Sequence, residues 1–336
     1  MLRIPYNDLQ AALDKAMQRL GLTPDRAALS ARLFAETTRD GVYTHGLNRF
    51  PRFAAMVQNG CIDVHAEPTR TAAFGAIERW DGHRGLGNLN AYAVMHRTIA
   101  LAREHGIGAV ALANTNHWMR GGTYGWLAAE AGLFALCWSN TLPNLPAWGT
   151  ATPTVGNNPL VIALPREQHP VVLDMAMSQF SYGTLAAYSK RGTPLPVPGG
   201  FDAQGNLTTD AAAIEATQRA LPIGYWKGSG LSLVLDMMAA MLSGGLATYQ
   251  LGSEPLREAG QSQFFLAIDP SNLAPVGELT HIADEVIANL HNTAPLDPTH
   301  PLRYPGEQTL RLREENLRLG VPVDEDVWHQ LNHPAK

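Results

Sequence analysis

Apolar positions recur at helical spacing through the first sixty residues and then give way to short, dense apolar runs. Leu9, Leu13, Met17 and Leu20 fall on one helical face, with Asn7 placed to cap the start and Gly21 the end. Thr23-Pro24 opens a second helix, because the missing proline N–H costs nothing in a first turn. That helix carries Leu29, Leu33 and Phe34 inward and is expected to stop near Gly41. A third is expected over residues 46–58, with Pro51 early enough to be tolerated. Beyond about residue 75, apolar runs bounded by turn signals read as buried strands at 107–112, 133–138, 160–164, 171–173 and 264–268. Helical stretches lie between or beside them at 89–105, 122–131, 211–220 and 231–242, and again from Gln308 onward. Strands alternating with helices predict an α/β fold: a mixed central sheet covered by helices, with a helical cap drawn from both chain ends. The expected division is residues 1–75 helical, 76–300 α/β, and 301–336 returning to the helical part.

A chain of 336 residues that is 45% hydrophobic and 16% charged can fill a large core. Its net charge of -5 and lack of any long Lys/Arg run argue against nucleic acid, which needs a cationic surface to displace counterions. The two cysteines, Cys61 and Cys137, make no disulfide framework, and Cys137 sits in an apolar run where a buried, inert thiol is the ordinary reading. The segment 231–246 is too short to span a bilayer and carries Asp236, so it reads as a buried helix. With no apolar signal core at the N-terminus, a cytoplasmic, globular enzyme without membrane contact is expected.

The familiar dinucleotide fingerprint is absent. Its nearest match, Gly85-Leu86-Gly87-Asn88-Leu89-Asn90, lacks the third glycine and follows no evident strand, so it reads as a turn opening a helix. No pair of histidines stands at metal-ligand spacing with a carboxylate, and no metal is expected. His45 and Arg49, four apart, would share a face if helical. That pairing suits a 2-oxo acid, with the guanidinium holding the carboxylate and the imidazole giving a proton to the adjacent carbonyl oxygen. The plain alternative is a helix start with a surface His and a surface Arg. A second cluster, 114–126, follows a strand directly and holds His117, Arg120, two tryptophans and several glycines. Three further segments are the rigid turn Gly156-Asn157-Asn158-Pro159, the strand end at Asp174, whose carboxylate suits a ribose hydroxyl, and Lys227, which opens a helix where a phosphate could sit.

Together these segments resemble the malate/L-lactate dehydrogenase-like family of NAD(P)H-dependent oxidoreductases, which lacks the usual dinucleotide fold. The resemblance runs through nearly the whole chain, strongest at 41–53, 116–126, 174–183 and 224–236, and weakest between 244 and 301. It implies a helical domain built from both termini, a non-Rossmann cofactor domain, and a homodimer with the site near the subunit contact. It places the proton donor at His45, a second functional histidine at His117 and the carboxylate-binding arginine at Arg49, with Thr44 and Asn48 as further substrate contacts. Thr123 and Asn140 join Asn48 as candidates for reading substrate hydroxyls. Cofactor contacts, to NADH or alternatively NADPH, are implied at Val172, Leu173, Asp174, Met175 and Ala176, at Trp226 and Lys227, and at Gly306, Glu307 and Gln308. The activity implied is reduction of the 2-oxo group of a small oxo acid. Cyclic imine carboxylates and simple 2-hydroxy acids are alternative substrates, and a non-catalytic sugar-acid-binding module is the reading from another class.

Overall fold

The computed structural model describes residues 2–333. A seven-stranded sheet is built from β2 (Thr69–Phe74), β3 (Ile77–Asp81), β4 (Ile107–Asn116), β5 (Phe134–Ser139), β8 (Leu160–Leu164), β9 (Val171–Met175) and β12 (Ala259–Ile268), in the order β2-β3-β4-β12-β5-β8-β9. Only β3 and β4 run parallel; every other neighbouring pair is antiparallel. Three two-stranded ribbons complete the β structure: β1 (Leu2–Ile4) with β13 (Val321–Val323), β6 (Leu145–Pro146) with β7 (Pro153–Val155), and β10 (Gly200–Phe201) with β11 (Leu207–Thr208).

The helices sort by the core they cover. α1 (Tyr6–Arg19), α2 (Pro24–Arg39) and α3 (Phe50–Gln58) bury Leu9, Leu13, Phe34 and Phe53 in one cluster, which Val321, Val323 and Leu331 join from the other end of the chain. The ribbon β1–β13 ties those two ends together. α4 (Gly87–His105) and α5 (Gly122–Glu130) pack on one face of the sheet around Met95, Val110, Tyr124 and Phe265. α6 (Tyr182–Arg191), α7 (Ala211–Thr217) and α8 (Trp226–Ser243) share the core on the other face, around Ala111, Leu185, Ile214 and Leu235. α9 (Val276–His291), α10 (Glu307–Leu319) and α11 (Glu325–Asn332) follow.

Several expectations are corrected here. α1 begins at Tyr6 after Pro5, two residues too early for Asn7 to cap it. Residues 46–58 are not one helix: two 3₁₀ turns, Tyr43–His45 and Leu47–Arg49, precede α3, which starts at Phe50 with Pro51 in its first turn. A strand does precede the Gly85-Leu86-Gly87 turn. It is β3, whose polar, charged residues hide the pattern. Those glycines serve close packing, since a Cβ on Gly87 would lie 2.2 Å from the Asn116 carbonyl oxygen. β2, β3 and α6 carry no apolar run that marks them in advance, and α9, though not expected, has Leu279, Ile282, Val286 and Leu290 at helical spacing. β2 already belongs to the sheet, so the sheet begins a few residues before 76.

The largest difference concerns α8, expected to be buried. Its polar-facing positions Ser229, Ser232 and Asp236 are buried, while Leu231, Val234, Met238 and Met241 form a stripe that is 40–76% exposed. No described helix is long and apolar enough to cross a membrane.

Candidate active site

Antiparallel pairing brings to one end of the sheet the carboxyl ends of β4, β5 and β9 and the amino ends of β8 and β12. His117 follows the last residue of β4, and Glu258 precedes the first residue of β12, which pairs Ala259 with Asn116. The register alone therefore sets a histidine beside a glutamate that is 141 positions away. Over this end of the sheet lie the 3₁₀ turns carrying His45 and Arg49. Thr38 anchors them, its hydroxyl accepting the Leu47 N–H at 2.9 Å.

Two chambers of about 420 and 410 Å³ open here and share the wall made by Thr44, His45, His117, Thr141, Asn157, Ser181 and Gly183. The His45 and His117 rings stack at this junction, 5.7 Å apart and 21° from parallel. Thr44 Oγ1 lies 3.0 Å from His45 Nδ1, leaving Nε2 without a partner among the described residues. His117 Nδ1 accepts the Met119 N–H at 3.0 Å, which fixes the tautomer: neutral His117 carries its proton on Nε2. Burial, then Arg49 and Arg120, lowers His45 to about 4. Burial, then Arg49 and His45, also lowers His117. Both shifts favour the neutral form of the rings.

One chamber is cationic. Arg49, Arg52 and Glu258 line it, with Asn144, Tyr182 and Gln218. Arg49 Nη2 and Arg52 Nη2 both reach Glu258 Oε2, at 3.1 and 2.6 Å, and Gln261 Nε2 donates to Oε1 at 2.8 Å. Burial and Arg52 pull Arg49 down to about 10 against the opposing pull of Glu258, so it stays charged. Asn48 is exposed on the neighbouring turn and lines neither chamber. Asn140 is committed elsewhere, donating to Asp236 and to the Leu246 carbonyl, and Thr123 lines a separate cleft. The polar groups that do face this chamber include Asn144, Asn157 and Gln218.

The other chamber is lined by Met119, Arg120, Gly121, Asp174 and Ala176. Asp174 accepts the Gly122 N–H at the start of α5 at 2.7 Å. Val172, by contrast, is buried in the sheet core, and its N–H bonds to the Pro305 carbonyl at 3.0 Å. Gly306 therefore docks on β9, the strand that carries Asp174; with φ +100, a Cβ there would stand 3.2 Å from Val172 N. Glu307 is spent on the Tyr304 N–H and on His291, both at 3.1 Å. Among the nine buried side-chain polar atoms that find no partner among the described residues are Arg120 Nε, in this chamber's wall, and Gln308 Oε1, in the adjoining segment. Orphaned polar groups beside a glycine-lined wall fit a polar, planar ligand such as a nicotinamide nucleotide. Trp226 is 65% exposed and lines neither chamber, like the exposed Lys227 at the start of α8.

Arg52, Glu258 and Arg120 were not singled out for these roles by sequence reasoning. Arg52 stands one helical turn after Arg49, a usable signal. Glu258 has none, since only strand register brings it here.

Residues 4–332 match the sequence profile of the family described as malate/L-lactate dehydrogenase. The 2,3-diketo-L-gulonate reductase of Citrobacter koseri is 44% identical over 98% of this chain and 99% of its own. That of Klebsiella pneumoniae is 43% identical over the same shares. Among solved structures, sulfolactate dehydrogenase from Methanocaldococcus jannaschii superposes with a TM-score of 0.90 at 25% identity, over 98% of this chain and 95% of that one. Delta1-piperideine-2-carboxylate reductase from Pseudomonas syringae superposes with a TM-score of 0.89 at 26% identity over the full length of both. A profile match across almost every residue, on a non-Rossmann sheet whose two chambers meet at a histidine pair, makes this chain a member of the malate/L-lactate dehydrogenase family.

Proposed function

We propose that this enzyme reduces the 2-oxo group of 2,3-diketo-L-gulonate to give 3-dehydro-L-gulonate, with NADH as its reductant. The observation that carries the reading is the junction of a cationic chamber and a glycine-walled chamber at His45 and His117. The relatives named above add the substrate.

Arg49 holds the substrate carboxylate through the guanidinium N–H groups that Glu258 leaves free. His117 Nε2–H donates to the carbonyl oxygen and polarises it. His45 delivers a proton to that oxygen as it gains charge, and Thr44 steadies the His45 ring through Nδ1. Asn144, Asn157 and Gln218 read the hydroxyls of the sugar chain. A nicotinamide nucleotide bound in the neighbouring chamber would supply the hydride that C2 takes up. Asp174 and Ala176 would hold it with Leu173 and Met175 behind them, Arg120 and Gln308 offering their unpartnered atoms. The exposed Trp226 ring and Lys227 ammonium remain available for the cofactor's phosphate end.

The stripe on α8 supports a homodimer, because a second copy of the same face would bury it. Two free, buried cysteines agree with a cytoplasmic setting.

The test is NADH oxidation at 340 nm with diketogulonate for the wild type and His45→Ala. We expect kcat/KM to fall by about 10²–10⁴, the usual worth of a general acid. Near-normal turnover in the variant would refute the proton-donor role. A preference of the wild type for piperideine-2-carboxylate would overturn the substrate and keep the site.

A further inference from the structure

The cationic chamber contains more charge than one carboxylate needs, and the surplus is cancelled in a specific way. Arg49 and Arg52 both bond to the same oxygen of Glu258, whose side chain is only 6% exposed. Arg52 is also turned back onto the Pro255 carbonyl, which takes its Nε and Nη2 at 3.0 and 2.6 Å. Gln261 holds the remaining carboxylate oxygen, so Glu258 is fixed from both sides. Two guanidinium groups and one carboxylate leave a net charge of +1 facing the chamber. Burial strengthens the consequence, since charges out of water interact far more strongly than at the surface.

We infer that Glu258 is a specificity-determining residue: by neutralising Arg52 it makes the chamber selective for singly charged 2-oxo acids and turns away dicarboxylic ones. A substrate with one carboxylate meets a matched +1 site. A second carboxylate meets the Glu258 charge and an arginine already engaged, so its desolvation goes uncompensated. This inference rests on the reading of the chamber as the seat of a 2-oxo acid. Glu258 acts through Arg49 and Arg52 as a positioning residue.

The experiment measures competitive inhibition of NADH-dependent diketogulonate reduction by two four-carbon hydroxy acids, 2-hydroxybutyrate with one negative charge and malate with two. The readout is the ratio of their inhibition constants, which a loss of overall structure would not move in a charge-dependent direction. Glu258→Gln raises the site to +2, and the malate to 2-hydroxybutyrate ratio should fall about tenfold or more, as expected for one unit charge at close range. Arg52→Gln brings the site to zero and should raise the ratio. The double variant returns the charge to +1 and should restore the wild-type ratio, a non-additivity that the cycle isolates. Should Glu258→Gln fail to fold, Arg52→Gln and the double variant still decide the matter. A ratio within twofold of wild type in all folded variants overturns the inference. If wild-type enzyme reduces no 2-oxo acid with either nicotinamide nucleotide, the proposed function fails first, and the selectivity falls with it.

Discussion

At the scale of single residues, the site is governed by where protons sit. His45 is lowered to about 4, first by burial and then by the cations Arg49 and Arg120, so the imidazolium is a minor form at neutral pH. With His45 as the proposed proton donor, reduction would consume that form. Above pH 4 its population in the free enzyme falls tenfold per unit, and kcat/KM for reduction should fall with a slope near -1 between about pH 5 and 8. An anion on Arg49 cancels part of the repulsion and raises the His45 value, so binding of a substrate-like anion should take up a proton. Steady-state profiles check the first statement, and calorimetry in buffers of different ionisation enthalpy the second. A flat kcat/KM profile would remove His45 as the donor. The fixed Nδ1 contact of His117 is consistent with the different tasks proposed for the two histidines: His117 would keep its Nε2 proton as a hydrogen-bond donor, and His45 would give a proton away.

Elements decide how firmly those residues are held. Ser181 caps α6 by accepting the Thr184 N–H at 3.1 Å, which fixes where Gly183 meets the His45 turn. A Cβ on Gly183 would lie 2.3 Å from Thr44 Cγ2 and 2.9 Å from the Thr44 hydroxyl that steadies His45. Gly183→Ala should therefore displace the turn and lower kcat/KM by about 10², the cost of a misplacement near 1 Å. Its melting temperature should drop only modestly, since α6 keeps its cap and its buried Leu185. Kinetics together with a thermal melt separate the two effects. The Asn157-Asn158 turn divides its labour similarly: Asn157 faces the chambers, while Asn158 is tied to Ser232 of α8 at 2.9 and 3.0 Å.

For the whole molecule, the two chain ends and the sheet are locked by one buried carboxylate. Asp40 receives Arg39, Arg120 and Arg313 at 2.7–2.9 Å; burial would raise its carboxyl, but the arginines outweigh that and hold it at about 2. Arg120 is thereby aimed at the glycine-walled chamber from a clamp that joins α2, the loop after β4 and α10. The same scale holds the exposed stripe of α8. On the proposed dimer, charges placed in it, as in Val234→Glu with Met241→Glu, should give monomers in light scattering, because a stable interface needs roughly 800 Å² per partner and this stripe would be its apolar centre. A wild-type monomer would exclude the dimer outright.

Much was legible before any coordinates. Helical periodicity marks α1 and α2, dense apolar runs mark β4, β5, β8 and the core of β12, and the turn residues around His45, His117 and Asp174 stand out because glycines, tryptophans and charges are unusual company. Local pattern determines local structure, and these segments carry their own signals. Amphipathic β3 and the helix α6 lack such signals and emerge only through packing, whereas α9 carries Leu279, Ile282, Val286 and Leu290 at helical spacing, a signal that was there to be read. Tertiary structure alone decided that two 3₁₀ turns, not a helix, present His45 and Arg49, and that Asn48 points elsewhere. It also turned the apolar side of α8 outward. Above all, it brought Glu258 to Arg49, because strand register is a long-range hydrogen-bonding choice that no short stretch of sequence contains.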